Sequence, residues 1–228
     1  MELSLNKEEQ TNLIRLVDPV ADSNCYVILG KKTCIVIDPN NFKLLEQVFQ
    51  KWDRKPSVVL LTHGHCDHIS GLNELRSRYE VTVVATSACS EEMQNARANM
   101  SRMMEMFLYY KSGETKLTSY APFVCKEADL HFTDTMTLSF EGKSIRMKAL
   151  PGHTHGSGVI CYEDMIFCGD YLLPNEQVVT RLPGGSEEEY ERDTKPWLMG
   201  IPDGTMICPG HGKPYQMSEE VRSRHDLR

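Results

Sequence analysis

Residues 62–68 read Thr-His-Gly-His-Cys-Asp-His and follow at once on the apolar run Val58-Val59-Leu60-Leu61. Imidazole nitrogens and a carboxylate are good ligands for zinc, and also for iron or manganese. His63 and His65 stand two apart in an irregular segment leaving a buried strand, so both can turn toward one point. Asp67 and His68 follow directly and can face a neighbouring point. Cys66 lies among them, and a thiolate is itself a good ligand.

Three further stretches bring ligand types to glycine-bordered turns at strand ends. Pro151-Gly152-His153-Thr154-His155-Gly156 follows a strand ending at Leu150, Cys168-Gly169-Asp170 ends the next hairpin, and Cys208-Pro209-Gly210-His211-Gly212 ends a final strand. Glycine permits tight turns and close approach of backbone to a site. One histidine would read as a surface or satisfied core residue. Four such stretches in one chain read as a metal site.

The elements that must position these residues are legible as periodicities. Residues 24–30 and 33–38 are β-rich and joined by Gly30-Lys31-Lys32, a hairpin. Apolar residues at 44, 45, 48, 49 and 52 predict a helix over Phe42–Trp52, stopped by Pro56. A buried strand at 58–61, a helix over 69–79 with Ile69, Leu72 and Leu75 inward, and a strand at 81–85 follow. Later the chain reads as hairpins, 136–140 with 145–150 and 159–162 with 165–168, and 205–208 reads as the last strand. Between the halves, Met93, Ala96, Met100, Met103, Phe107 and Tyr110 recur at helical spacing, from Glu91 and Glu92 to a stop at Gly113. This predicts one long amphipathic helix. Its methionine-rich face either packs on the core or caps an active site, where flexible side chains adapt to an acyl chain.

Composition sets the frame. A chain of 228 residues reads as one domain over 1–228, with a core at about 12–215 and a helical insertion at about 88–125. Strands alternating with helices early and hairpins later predict an α/β (α+β) architecture of sheets with helices outside. The net charge of -7 argues against a nucleic-acid partner. Residues 1–10 have no basic stretch before an apolar core, and no run reaches the roughly 18 apolar residues of a membrane span. The eight cysteines form no C-x-x-C pair, as expected for reduced thiols in a cytoplasmic protein.

Taken in order, Thr62-His63-Gly64-His65-Cys66-Asp67-His68, His153, Asp170 and His211 resemble the metallo-β-lactamase-fold superfamily, most closely its glyoxalase II-like branch. The resemblance implies a four-layer αβ/βα sandwich, with the site at the edge of two facing sheets. It implies His63, His65 and His153 on a first metal, Asp67, His68 and His211 on a second, and Asp170 bridging them. The expected cofactors are two zinc ions per chain, with iron or manganese as other occupants. True β-lactamases of this fold use a cysteine in the second site and no bridging aspartate, so β-lactam hydrolysis is disfavoured. Cys66 falls at a variable position and His155 has no ligand role in the pattern.

Two such ions share a water and lower its pKa, with Asp67 and Asp170 as the catalytic carboxylates. A thioester releases a thiolate of pKa roughly 8.5 and needs no strong general acid, although Asp67 could transfer a proton. Hydrolysis of acyl thioesters is therefore the expected reaction. Glyoxalase II proper carries a further helical domain that grips glutathione, whereas this sequence ends 17 residues after His211 in a polar tail, 218–228. In layout the chain is also similar to short hydrolases that accompany bacterial polyketide synthases, which implies an acyl-carrier-protein partner and a role in antibiotic biosynthesis. Alternatives are a hydroxyacylglutathione hydrolase, a mononuclear iron persulfide dioxygenase built on His63, His153 and Asp170, and a lactonase. Lactonases of the superfamily carry a tyrosine three residues after the bridging aspartate, where this chain has Leu173. A metal-stabilised binding module would need only four ligands in a closed site. No membrane partner is expected.

Overall fold

A computed structural model describes residues 12–228, so the reading of residues 1–10 lies outside the described residues. Strands β1 (Leu13–Val17), β2 (Asn24–Leu29) and β3 (Thr33–Ile37) form an antiparallel meander, with Arg15 opposite Tyr26 and Tyr26 opposite Ile37. The chain then passes through α1 (Phe42–Trp52), β4 (Lys55–Leu60), α2 (Cys66–Ile69), α3 (Leu72–Arg78), β5 (Thr82–Thr86), α4 (Ser87–Glu92), α5 (Met104–Lys111) and β6 (Leu130–Phe132). Strands β3 to β6 run parallel and complete a six-stranded sheet in sequence order. Its inner strands are continuous apolar runs because both faces are covered.

A second six-stranded sheet contains β7 (Thr135–Phe140), β8 (Lys143–Ala149), β9 (Gly158–Tyr162), β10 (Met165–Gly169), β11 (Met206–Pro209) and β12 (Tyr215–Gln216). The β7–β8 turn is Glu141-Gly142, both at positive φ (51° and 81°), the two-residue geometry whose twist matches the flanking strands. Outside this sheet lie α6 (Glu187–Glu189), which runs through a π turn at Tyr190–Thr194 into α7 (Lys195–Met199), and α8 (Glu219–Arg224). The sheets face each other across a core that includes Ile35, Ile37, Met147, Ile160 and Phe167, and the Tyr26 and Phe167 rings meet edge-on at 5.1 Å. Helices α1 and α3 cover the first sheet with Leu45, Phe49 and Leu75, and α7 and α8 cover the second with Leu198 and Val221. This is the expected four-layer αβ/βα sandwich.

Several boundaries differ from expectation, each for a local reason. Asn41 caps α1 by accepting the Leu44 N–H, and Asp53, left-handed at φ 50°, ends it by donating its N–H to Phe49. Pro56 does not stop that helix but lies in β4 beside a register shift, where a missing N–H is tolerated. The single helix expected over 69–79 is two, α2 and α3, parted at Ser70-Gly71. Gly71 donates its N–H to Pro39, and a Cβ there would sit 2.8 Å from the Phe42 nitrogen, so the backbone itself packs at this point. Strand β11 is not the last: two-residue β12 follows and is too short to show a pattern. The expected polar tail holds α8, capped by Ser218, with Val221 and Leu227 buried.

The long helix expected from Met93 to Tyr110 is not formed. Helix α4 ends at Glu92 and α5 begins only at Met104. Between them Asn95 Oδ1 accepts from the amides of Arg97 and Ala98, Asn99 Oδ1 accepts from Ser101, and Met100 is left-handed at φ 63°. Such side-chain bonds offer the backbone an alternative to helix. The periodic residues therefore part company: Met93 is fully buried against the first sheet, whereas Met100, Met104, Phe107 and Tyr110 line a cavity at the sandwich edge. Met93→Ala is expected to cost about 2–5 kcal/mol in urea unfolding, as for a buried methionine. Phe107→Ala, at a half-exposed position, is expected to change stability by no more than about 0.5 kcal/mol. Equal losses at the two positions would contradict this division.

Candidate metal centre

One edge of the sandwich collects the ends of several strands. The segment after β4 carries His63 and His65, and α2 carries Asp67 and His68. The turn after β8 carries His153, the end of β10 leads into Asp170, and the end of β11 leads into His211. His63, His65 and His153 offer ligand atoms within 4.8 Å of one another, and so do Asp67, His68 and His211. Asp170 lies between the two groups. Its Oδ2 is 3.7 Å from His153 Nε2 and 3.6 Å from His211 Nε2, and its Oδ1 is 3.4 Å from His68 Nε2. Asp67 Oδ2 is 3.3 Å from His211 Nε2 and 3.6 Å from His68 Nε2.

Asp38, at the end of β3 with φ 51°, sets two of the rings. Its Oδ1 accepts the Thr62 N–H at 2.8 Å and its Oδ2 accepts the Thr62 hydroxyl at 2.6 Å. With its proton so committed, Thr62 Oγ1 accepts from His63 Nδ1 at 3.0 Å, and Asp38 Oδ2 also accepts from His68 Nδ1 at 3.3 Å. His153 Nδ1 donates to the carbonyl of Val179 at 2.7 Å. In all three rings the outer nitrogen is anchored, so Nε2 faces inward, and in His63 and His153 it does so with its lone pair. His153 Nε2 then stands 3.1 Å from His65 Nδ1.

Several atoms of this cluster have no hydrogen-bond partner. The Nε2 atoms of His63, His65 and His68 and Oδ1 of Asp170 are buried without a hydrogen-bond partner. Buried polar groups are normally paired, and an ion is one standard reason for an exception. The spacing agrees: two donors each roughly 2.1 Å from a tetrahedral ion lie roughly 3.4 Å apart. The donor set therefore fits two ions, with Asp170 facing both. Asp38 with His63 and His68 forms a third close group, but its oxygens already serve Thr62 and His68 Nδ1, which suits an orienting carboxylate.

Electrostatics divides the two groups. Burial, then the neighbouring imidazoles, pushes His63 well below the ordinary histidine range and His65 down to about 3, and burial lowers His153. These rings are neutral and ready to ligate. For His68 burial acts downward, but Asp67 and Asp170 outweigh it and raise the imidazole well above its usual range. For His211 burial likewise acts downward, and Asp170 and Asp67 prevail. The carboxyls of Asp67 and Asp170 are lowered in return, burial notwithstanding. In the second group protons thus take the place a cation would hold.

All seven predicted site residues converge at this edge. Cys66 is buried beside them but joins neither ligand group, and burial with the Asp67 charge pushes its thiol up to about 12. His155 points away, 2.8 Å from Glu189. Sequence reasoning missed Asp38, Thr62, Glu92 and Tyr171. Tyr171 accepts the His153 N–H at 3.3 Å and donates to the Leu150 carbonyl, bracing the His153 turn from the residue next to Asp170. Glu92 accepts from Gly156 N–H and the Thr154 hydroxyl, both at 3.0 Å, and holds the far side of that turn. Gly210 is obligatory, since a Cβ would lie 2.1 Å from Asp170 Oδ1. Only Asp38 left a signal, a polar residue closing an apolar strand.

Comparison with known proteins places this geometry in context. The profile described as "Metallo-beta-lactamase superfamily" matches residues 18–211. The chain is 26% identical over 200 residues to the "Probable metallo-hydrolase YqgX" of Bacillus subtilis (strain 168), covering 86% of this chain and 87% of that protein. It is 27% identical over 195 residues to the "Hydroxyacylglutathione hydrolase" of Hamiltonella defensa, covering 85% of this chain but only 64% of that one. The crystal structure of BLEG-1 B3 metallo-beta-lactamase superposes with a TM-score of 0.73 at 22% identity, over 93% of this chain and 97% of that one, a likeness of fold.

Acidification is expected to release ions in two steps. The group with raised imidazole pKa values, Asp67, His68 and His211, takes up protons at higher pH and loses its ion first, and His63, His65 and His153 hold theirs to lower pH. Metal content across a pH series checks this, and a single concerted loss would contradict it. Asp38→Asn is expected to weaken metal affinity about 10–100-fold. Cys66→Ser is expected to leave metal content unchanged, as read by elemental analysis after dialysis.

Proposed function

The chain belongs to the metallo-beta-lactamase superfamily, and from that premise we propose that it is a two-zinc hydrolase of acyl thioesters. One observation carries the reading. Buried donor atoms without partners converge on both sides of Asp170, at the floor of a cavity of about 560 Å³. That volume is within the ordinary range for a small-ligand site.

Bound divalent ions supply Lewis acidity and a water acidic enough to act as nucleophile near neutral pH. The protein supplies the rest. Asp38, Thr62 and the Val179 carbonyl orient three imidazoles through their outer nitrogens, which pre-organises those rings. Asp67, on the cavity wall with Oδ2 toward His211, is placed to take and pass on a proton. Lys111, the one lysine on the wall among the described residues, is committed to Asp22 at 3.0 Å and to the Ala21 carbonyl at 2.8 Å. Among the described residues no strong general acid beyond Asp67 stands out on the wall, which favours a thiolate that departs unaided over an amine or alkoxide.

The thiol carrier follows from the resemblance in length and layout: an acyl carrier protein of polyketide antibiotic assembly, with a hydroxyacylglutathione as the other candidate. All eight cysteines are free, in keeping with a reducing cytoplasm. Among the described residues no helix is long and apolar enough to cross a membrane.

Protein carrying both ions is expected to release thiol from at least one of a panel of acyl-pantetheine, acyl-CoA, acyl-carrier and glutathione thioesters. Chelation should abolish the activity, and Asp67→Asn should lower kcat/KM at least about 100-fold. Release that survives chelation, or none from any thioester, would overturn the reading. Oxygen uptake on a persulfide with one iron per chain would replace it.

A further inference from the structure

We infer that the cavity above the candidate metal centre is built for an apolar acyl chain carried on an uncharged pantetheine-like arm, and not for a glutathione conjugate. This rests on the hydrolase reading for the reaction, but its observations are those of the walls.

Met100, Met104 and Phe107 form one wall, and Leu173, Val179 and Leu182 form the other. The carbonyl of Val179 holds His153 Nδ1, so the residue that orients a ligand nitrogen also contributes its side chain to the wall. The apolar surface therefore begins at the candidate ligands themselves. Phe107 is 51% exposed and Val179 42%, large apolar groups left facing solvent at a cavity mouth. Methionines on one side add adjustable shape, and Met100 reaches the cavity from a left-handed backbone position that breaks the expected helix.

Charge points the same way. Beyond the candidate ligands, the charged residues lining the cavity are Asp22, Lys111 and Glu176. Lys111 is already paired with Asp22, leaving Glu176 to set a negative sign. Glutathione carries two carboxylates against one ammonium, and among the described residues no unpaired lysine or arginine lines this cavity to receive them. A pantetheine arm is neutral and meets no such penalty.

Each buried methylene contributes about 0.8 kcal/mol, or about fourfold in affinity. Hydrolysis-resistant ketone analogues test the inference by calorimetry: S-acetonyl-pantetheine, S-oxoheptyl-pantetheine and S-acetonyl-glutathione. The oxoheptyl analogue has four more methylenes than the acetonyl one and is expected to bind at least about tenfold tighter, with a negative heat-capacity change. The glutathione analogue is expected to bind no better than S-acetonyl-pantetheine. Phe107→Asp and Val179→Asp, from opposite walls and at exposed positions, should each remove most of the chain-length advantage while retaining the wild-type circular dichroism spectrum. Flat chain-length dependence, absence of binding, or a preference for the glutathione analogue overturns the inference. Turnover separates it from the hydrolase reading. Chain-length-dependent binding without thiol release from any thioester upholds the cavity and removes the hydrolase. Equal kcat/KM on acetyl, hexanoyl and glutathione thioesters, with flat binding, does the reverse.

Discussion

A cluster of buried imidazoles and carboxylates, several of whose atoms have no hydrogen-bond partner, is the constraint on which this molecule turns. Leaving a buried polar atom unpaired costs roughly 1–3 kcal/mol. Even two such atoms are a sizeable share of the roughly 5–15 kcal/mol that keeps a protein folded. The Nε2 atoms of His63 and His65 are therefore a cost to the metal-free chain, whereas His68 Nε2 and Asp170 Oδ1 face each other at 3.4 Å as an ion pair. A cation held by His63, His65 and His153 would remove that cost. The proposed two-ion centre would couple folding to metal binding.

The surrounding structure holds those atoms in place through hydrogen bonds from several elements. Asp38 reaches Thr62 twice and His68 once, so one buried carboxylate at the end of β3 sets rings that face both groups. Tyr171 and Glu92 brace the His153 turn from opposite sides. Both sheets contribute ligands, and neither has a complete set alone. The face-to-face packing of Tyr26, Ile37, Ile160 and Phe167 therefore fixes the distance between the halves of the site. Core packing and site geometry are one requirement in this fold.

Much of this was legible in the residues. Helix α1 announced itself because its buried positions repeat at helical spacing and Asn41 caps it, and the β7–β8 and β9–β10 hairpins because turn residues part apolar runs. The seven candidate ligands stood out because their types cluster at strand ends. What stayed hidden had non-local causes. The Met93–Tyr110 spacing looked helical, and only the side-chain bonds of Asn95 and Asn99 to nearby amides reveal why it breaks. Asp38 and Tyr171 act on residues 24 and 18 positions away, across elements whose pairing no local pattern specifies. Strand β12 has two residues and owes its existence to its neighbour β11.

Anomalous diffraction at the metal edge, from crystals grown with the divalent ion supplied, tests the central claim most directly. A two-ion centre predicts one peak among His63, His65 and His153 and a second among Asp67, His68 and His211, with Asp170 between them. A lone peak shared by both groups, a peak centred on Asp38, or no peak at this edge of the sandwich would contradict it.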